Sequence, residues 1–304
     1  MGSGLNDANL TNKDVFNAAD KFLKALDASP TGSGTVLKDH ASKDWMETSV
    51  LRALSKLDAA SYHCSNVTRL VQGAHEKAKA LTGAMEYPTK TKLKPTKIRV
   101  AGTFTAQEIA FEIDAFLAAA RASIDLGGAV LALHLGMNRR TSIIEVLKSI
   151  KKAPKSPFAI LLEWAPWIEV LKKYRDECVH YRALRTQTGY EAVRRKGVLA
   201  VAILPLVIPQ EIRHDQLDTR AVRFGMYSDD DSLPEGLDKS ESWGEATMAD
   251  GSTQVLGHSI SYSPSGGYIR VEEFCAQHIE KLREFLVHVF EETPKAKFKF
   301  QNQA

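Results

Sequence analysis

Apolar residues recur at helical spacing through roughly the first 188 positions of this 304-residue chain and abandon that spacing after Gly189. The break restricts the fold more than any other feature. Helices must pack on helices first, and a shorter sheet-forming part must follow. The expected class is therefore mainly α in the α+β sense. It comprises a helical bundle, an appended small antiparallel β region and a C-terminal helix. Hydrophobic content of 44% and charged content of 25% are ordinary for a globular chain. A net charge of +3 permits a nucleic-acid partner without demanding one.

The helical part divides at its breakers. Val15, Phe16, Ala19, Phe22, Leu23 and Leu26 predict a helix over 13–27, closed by Pro30, Gly32 and Gly34. Residues 43–82 read as one long helix, or as two with a kink near Ser61. Pro88 and Pro95 forbid a regular helix over 88–99, a basic stretch that reads as a linker. Thr105 and Glu108 form a capping box that opens a helix running to about Leu135, with Gly136 placed to end it. Gly127 and Gly128 inside that helix mean close packing or a kink. A shorter helix covers 141–152. Ser156-Pro157 opens the next segment, and Pro166 forces a kink or a restart within it. That segment is expected to continue to about Thr188. Beyond it, Val198–Ile208, 220–227, 258–263 and 267–271 read as strands, Asp229–Glu241 as an exposed loop, and Glu272–Glu292 as the last helix. Three regions result: 1–99, helical with a basic linker; 100–190, a helical core; and 191–304, strands with the final helix.

Several function classes find no motif. The chain has no Walker loop, dinucleotide fingerprint, acyl-hydrolase elbow or zinc spacing. No cofactor or metal is expected. Cys64, Cys178 and Cys275 form no C-x-x-C and read as reduced thiols of a cytoplasmic protein. The first residues lack the apolar core of a secretion signal, and no uninterrupted run of about 18 apolar residues is present. No membrane association is expected.

The remaining chemistry is arginine with histidine. Arginine offers a fixed cation whose planar fork matches phosphate oxygens, and histidine exchanges a proton near neutral pH. The spacing occurs as Arg69/His75, Arg175/His180 and Arg283/His288. On an ideal helix, residues five apart point about 140° from each other. Arg175 and His180 therefore need a second element, or a two-fold partner, to meet one phosphate. Arg175 continues the stripe Leu161, Trp164, Ile168 and Leu171, where a fully buried guanidinium would be costly. Trp164 and Trp167 could stack bases, but their spacing places them in a core.

The segment Trp167-Ile168-Glu169-Val170-Leu171-Lys172-Lys173-Tyr174-Arg175-Asp176-Glu177-Cys178-Val179-His180 resembles the motif helix of HEPN domains (higher eukaryotes and prokaryotes nucleotide-binding). The resemblance spans about residues 100–190. It implies a HEPN-like helical bundle and a metal-independent endoribonuclease of the toxin, anti-phage or RNA-processing kind. Arg175 and His180 would be the active pair and Asp176 the polar neighbour after the arginine. It implies RNA as substrate, a homodimer with the site at the interface, and an antitoxin or defence-system partner. Lys90, Lys92, Lys94, Lys97 and Arg182 are the expected RNA-binding cations. In family members regulated by AMPylation, a tyrosine stands two places after the histidine. Here Arg182 occupies that place and the tyrosine is Tyr181, which argues against that control. The other reading is a non-catalytic RNA- or nucleotide-binding or dimerisation module of a larger assembly.

Overall fold

The computed structural model describes residues 10–29, 40–84, 96–102, 106–138, 141–153, 156, 158–176, 188–195, 198–210 and 237–295. They form six α-helices and seven strands, and the class is mainly α with an antiparallel β part. The helices are α1 (Asn12–Asp27), α2 (His40–Ala84), α3 (Ala106–His134), α4 (Ile143–Lys152), α5 (Ala165–Asp176) and α6 (Val271–Lys295). The strands are β1 (Thr96–Gly102), β2 (Thr188–Arg195), β3 (Val198–Leu204), β4 (Val207–Pro209), β5 (Leu237–Thr247), β6 (Thr253–Pro264) and β7 (Tyr268–Arg270). Two compact units share them. Unit 1 comprises Met1–His63, Ala115–Glu177 and Ala276–Ala304; unit 2 comprises Cys64–Asp114 and Cys178–Cys275.

Unit 1 is helical. Its buried core includes Phe22, Leu26, Met46, Leu57, Phe116, Ile124, Ile168, Leu171, Phe285 and Phe290. Asp14 anchors the start of α1 by accepting from the Thr11 amide and hydroxyl at 2.8 and 2.7 Å. α3 ends where glycine is needed. Gly136 adopts a positive φ of 69°. The Met137 amide reaches the Ala132 carbonyl at 2.8 Å, and the Gly136 amide reaches that of Leu133 at 3.0 Å. This is a Schellman closure. Ser142 and Glu145 cap α4 reciprocally. A 3₁₀ segment, Ala159–Trp164, precedes α5, so Pro166 lies in the first turn of a fresh helix. Its missing amide costs nothing there.

The glycine pair in α3 serves close packing. A Cβ at Gly127 would lie 3.2 Å from Leu286 Cδ2, and one at Gly128 would lie 3.1 Å from Ile143 Cβ and 3.2 Å from its Cα. Gly128→Ala is expected to destabilise the protein by about 1 kcal/mol in urea denaturation. Overpacking of about 1–3 kcal/mol outweighs the propensity gain of about 1 kcal/mol, because the obstacle includes backbone. A more stable variant would show that α4 yields freely.

The stretch Glu108–His134 of α3 is long and apolar enough to cross a membrane by length and composition, but 67% of that apolar window is buried inside the protein. A buried core helix meets the same criteria. The sequence shows no uninterrupted apolar run here because Glu112, Asp114, Arg121 and Asp125 punctuate an alanine-rich segment.

Unit 2 carries the strands. β1, β2 and β3 form an antiparallel sheet in that order, β4 pairs β7, and β5 pairs β6. A cluster of Ala200, Ala202, Leu204, Val207, Leu237, Ile260 and Tyr262 forms its strand core. Three segments differ from expectation. Residues 96–99, read as the end of a basic linker, begin β1, with Lys97 registered opposite Val193. Gly189, read as a helix stop, lies in β2 opposite Leu204. Residues 237–241, read as loop, begin β5. The strand expected at 220–227 and the capping threonine Thr105 lie outside the described residues.

Candidate functional site

α5 buries Trp167, Ile168, Leu171 and Tyr174 on one side. Arg175 follows on that stripe, but in the last turn, and its side chain is 35% exposed. Position in the helix thus resolves the expected burial cost: the guanidinium extends beyond the apolar contacts. A cation at a helix C-terminus also meets the favourable end of the macrodipole. Its Nη1 donates to Asp176 Oδ1 at 3.0 Å. Both partners are about one-third exposed, so the pair contributes at most about 1 kcal/mol to stability. It fixes the direction of the fork more than it holds the fold.

His180, Lys90, Lys92, Lys94 and Arg182 lie outside the described residues. Lys97 is placed in β1 by its register. Trp164 and Trp167 meet edge to face at 6.0 Å, and each lies 6.3 Å from Phe285. They belong to an aromatic cluster of unit 1, as their spacing indicates.

The other two arginine–histidine spacings resolve differently. Arg283 is structural. Its Nε donates to Asn12 Oδ1 at 2.8 Å and its Nη1 to the Leu10 carbonyl at 3.3 Å, fastening α6 to the start of α1. His288 lies 5.8 Å from the Trp164 ring. Arg69 Nη2 reaches Asn66 Oδ1 on its own helix at 3.4 Å. His75 is half-buried with a buried Nε2 that has no hydrogen-bond partner among the described residues. Burial, and secondarily the charge of Arg270, hold its pKa below 6.5.

Unit 2 contains a polar chain that sequence reading missed. Glu191 of β2 is fully buried. Its Oε1 accepts from Lys239 Nζ at 2.8 Å and its Oε2 from the Tyr262 hydroxyl at 2.5 Å. Lys239 also meets Glu241 at 3.0 Å, and Glu241 meets His258 Nε2 at 2.9 Å. The His258 ring stacks on Trp243 with centroids 3.3 Å apart and planes 14° apart. Register makes the chain possible: Lys239 stands opposite Tyr262, and Trp243 opposite His258. Burial works to lower the Lys239 pKa, but its bonds to Glu191 and Glu241 raise it overall. Burial works to raise that of Glu241, but Lys239 and His258 bring it down. Both groups are thereby held charged, which suits a structural clasp better than proton transfer. Among the described residues, no three His, Cys, Asp or Glu side chains group so that they could hold a metal ion.

No protein-family model, curated protein or solved structure matches this chain.

Proposed function

We propose that this protein is a metal-independent endoribonuclease of HEPN type, with Arg175 and His180 as its active pair and Asp176 as the residue that orients the arginine. The observation that carries the reading is the Arg175 fork. It sits in the last turn of α5, one-third exposed, and is held at 3.0 Å by the polar residue directly after it. A neutral His180 would take the proton from a ribose 2′-hydroxyl, whose oxygen then attacks the adjacent phosphorus. Arg175 would offset charge on the equatorial oxygens. A second His180, from the other copy in a homodimer, would protonate the departing 5′-oxygen. The products are a 2′,3′-cyclic phosphate and a 5′-hydroxyl. DNA lacks the nucleophile.

The test is purified protein with labelled RNA in chelator, followed by end-group analysis. Wild type is expected to release cyclic-phosphate ends. Arg175→Ala and His180→Ala are each expected to lose about 10²–10⁴ in rate. Undiminished cleavage by both variants would sink the assignment. Saturable, salt-sensitive RNA binding without turnover would instead favour the non-catalytic module. A cytoplasmic location and a toxin or anti-phage role belong to the same proposal.

A further inference from the structure

We propose that β5 of unit 2 is a docking edge for β1 of a second copy of this chain, the two strands pairing across the seam. The first ground is a pair of strand edges of similar length. Among the described residues, β1 pairs only with β2, and β5 only with β6. Each leaves one row of amide and carbonyl groups outside its ladder, and such a row is a template for another strand. β1 spans seven residues, Thr96–Gly102. β5 keeps regular register with β6 from Leu237 to Gly244, and a bulge follows between Gly244 and Glu245. Leu237, Ile260 and Tyr262 fix the base of this ribbon in the strand core. The rest lies open: Leu237 is the one buried residue of β5, and Met248 and Leu256 are 45% and 66% exposed. A two-stranded ribbon is marginal in water, and a third strand supports it.

Charge selects the occupant. Residues 229–250 carry eight acidic side chains and one basic one, Lys239. Residues 88–102 carry five basic side chains and no acidic one, in a chain whose net charge is only +3. This segregation works against both self-pairings. β5 beside a second β5 sets acid against acid, and β1 beside a second β1 sets Lys97 and Arg99 against their own kind. Like charges opposed on neighbouring strands are destabilising. β5 beside β1 brings Asp238, Glu241 and Glu245 to the strand that carries Lys97 and Arg99, and opposite charges so placed are favourable. Lysine also guards exposed edges against unwanted pairing. On β5 that guard is withdrawn, because Lys239 is only 19% exposed and is held by Glu191 at 2.8 Å and Glu241 at 3.0 Å. On β1 the guard stands, and an acidic strand is what passes it. The seam uses neither Arg175 nor His180 and does not depend on the nuclease reading.

The deciding experiment mixes isotope-labelled and unlabelled full chain at low salt. A carbodiimide couples neighbouring amines to carboxylates, and mass spectrometry reads the joined peptides. Mixed-isotope links between residues 90–97 and 238–250 are expected, and added salt is expected to reduce them. Sedimentation then follows two charge-reversed variants, Asp238→Lys/Glu245→Lys and Lys94→Glu/Lys97→Glu. Asp238 and Glu245 are exposed and lie outside the Lys239 clasp. Each variant alone is expected to associate about tenfold more weakly or worse, because like charges then meet across the seam. An equimolar mixture of the two is expected to recover the association, since opposite charges face each other again. Links confined to a single isotope mean that the ribbon meets β1 of its own copy, and they overturn the proposal. A chain that stays monomeric at low salt overturns it, as does association that both variants keep unchanged. Association without these links belongs to another surface, such as one around His180, and overturns it too. If a variant fails to fold, the wild-type links decide alone.

Discussion

Replacing Lys239 with methionine is expected to destabilise the protein by roughly 3–5 kcal/mol, the usual cost of leaving a buried charge without its partner. Glu191 has no exposed surface, and Lys239 is its cation at 2.8 Å. Methionine matches the length of the stem but removes the charge, so the carboxylate loses the cation that faces its Oε1. The Tyr262 hydroxyl still donates to Oε2. Urea denaturation at neutral pH measures the loss. Combining Lys239→Met with Glu191→Gln is expected to recover most of it, since a neutral amide no longer needs the cation and can still accept from Tyr262. A single-variant loss below about 1 kcal/mol would mean that the pair with Lys239 does not carry Glu191 in the fold.

Acid should weaken unit 1 through His134. This histidine ends α3, is 8% exposed, and presents to the Phe158 ring at 5.0 Å, edge to face. Burial lowers its pKa from 6.5 to about 4. The folded imidazole therefore resists protonation while the unfolded one accepts it. Stability is unaffected well above pH 6.5, falls as pH drops through that value, and stops falling near pH 4, where the folded state also takes the proton. The shift corresponds to roughly 3 kcal/mol over the window. Denaturation of wild type and His134→Gln at about pH 7 and pH 4.5 isolates the effect from other titrating groups. The wild type should lose clearly more on acidification. Equal losses in the two proteins would remove His134 as the cause.

Local signals in the sequence located the helices well. The run Val15–Leu26, the closing Gly136 and the restart at Pro166 each depend on neighbours within one or two turns, and each lies where its chemistry puts it. α2 runs as one continuous helix from His40 to Ala84, through Ser61. β1 and β2 were illegible for a physical reason. Thr188–Arg195 mixes charged and small residues, and Thr96–Gly102 follows a proline- and lysine-rich stretch. Strand identity in such segments comes from pairing with distant chain, not from local preference. The clasp was hidden in the same way. Glu191 finds Lys239 48 residues away and Tyr262 71 residues away. For the candidate site, the Arg175–Asp176 pairing was readable because the two are adjacent. His75 was visible as half of a spacing with Arg69, whereas its electrostatic neighbour in the fold is Arg270.

No uninterrupted stretch of the chain contains either compact unit. Phe22 near the start packs its ring 6.0 Å from that of Phe290 near the end, tilted by 50°, and Gly127 in the middle accommodates Leu286. During synthesis, the helical core therefore stays incomplete until the last helix leaves the ribosome. A premature stop before α6 would strand apolar surface on α1, α3 and α5, and such a product should aggregate or be degraded instead of surviving as a smaller working protein.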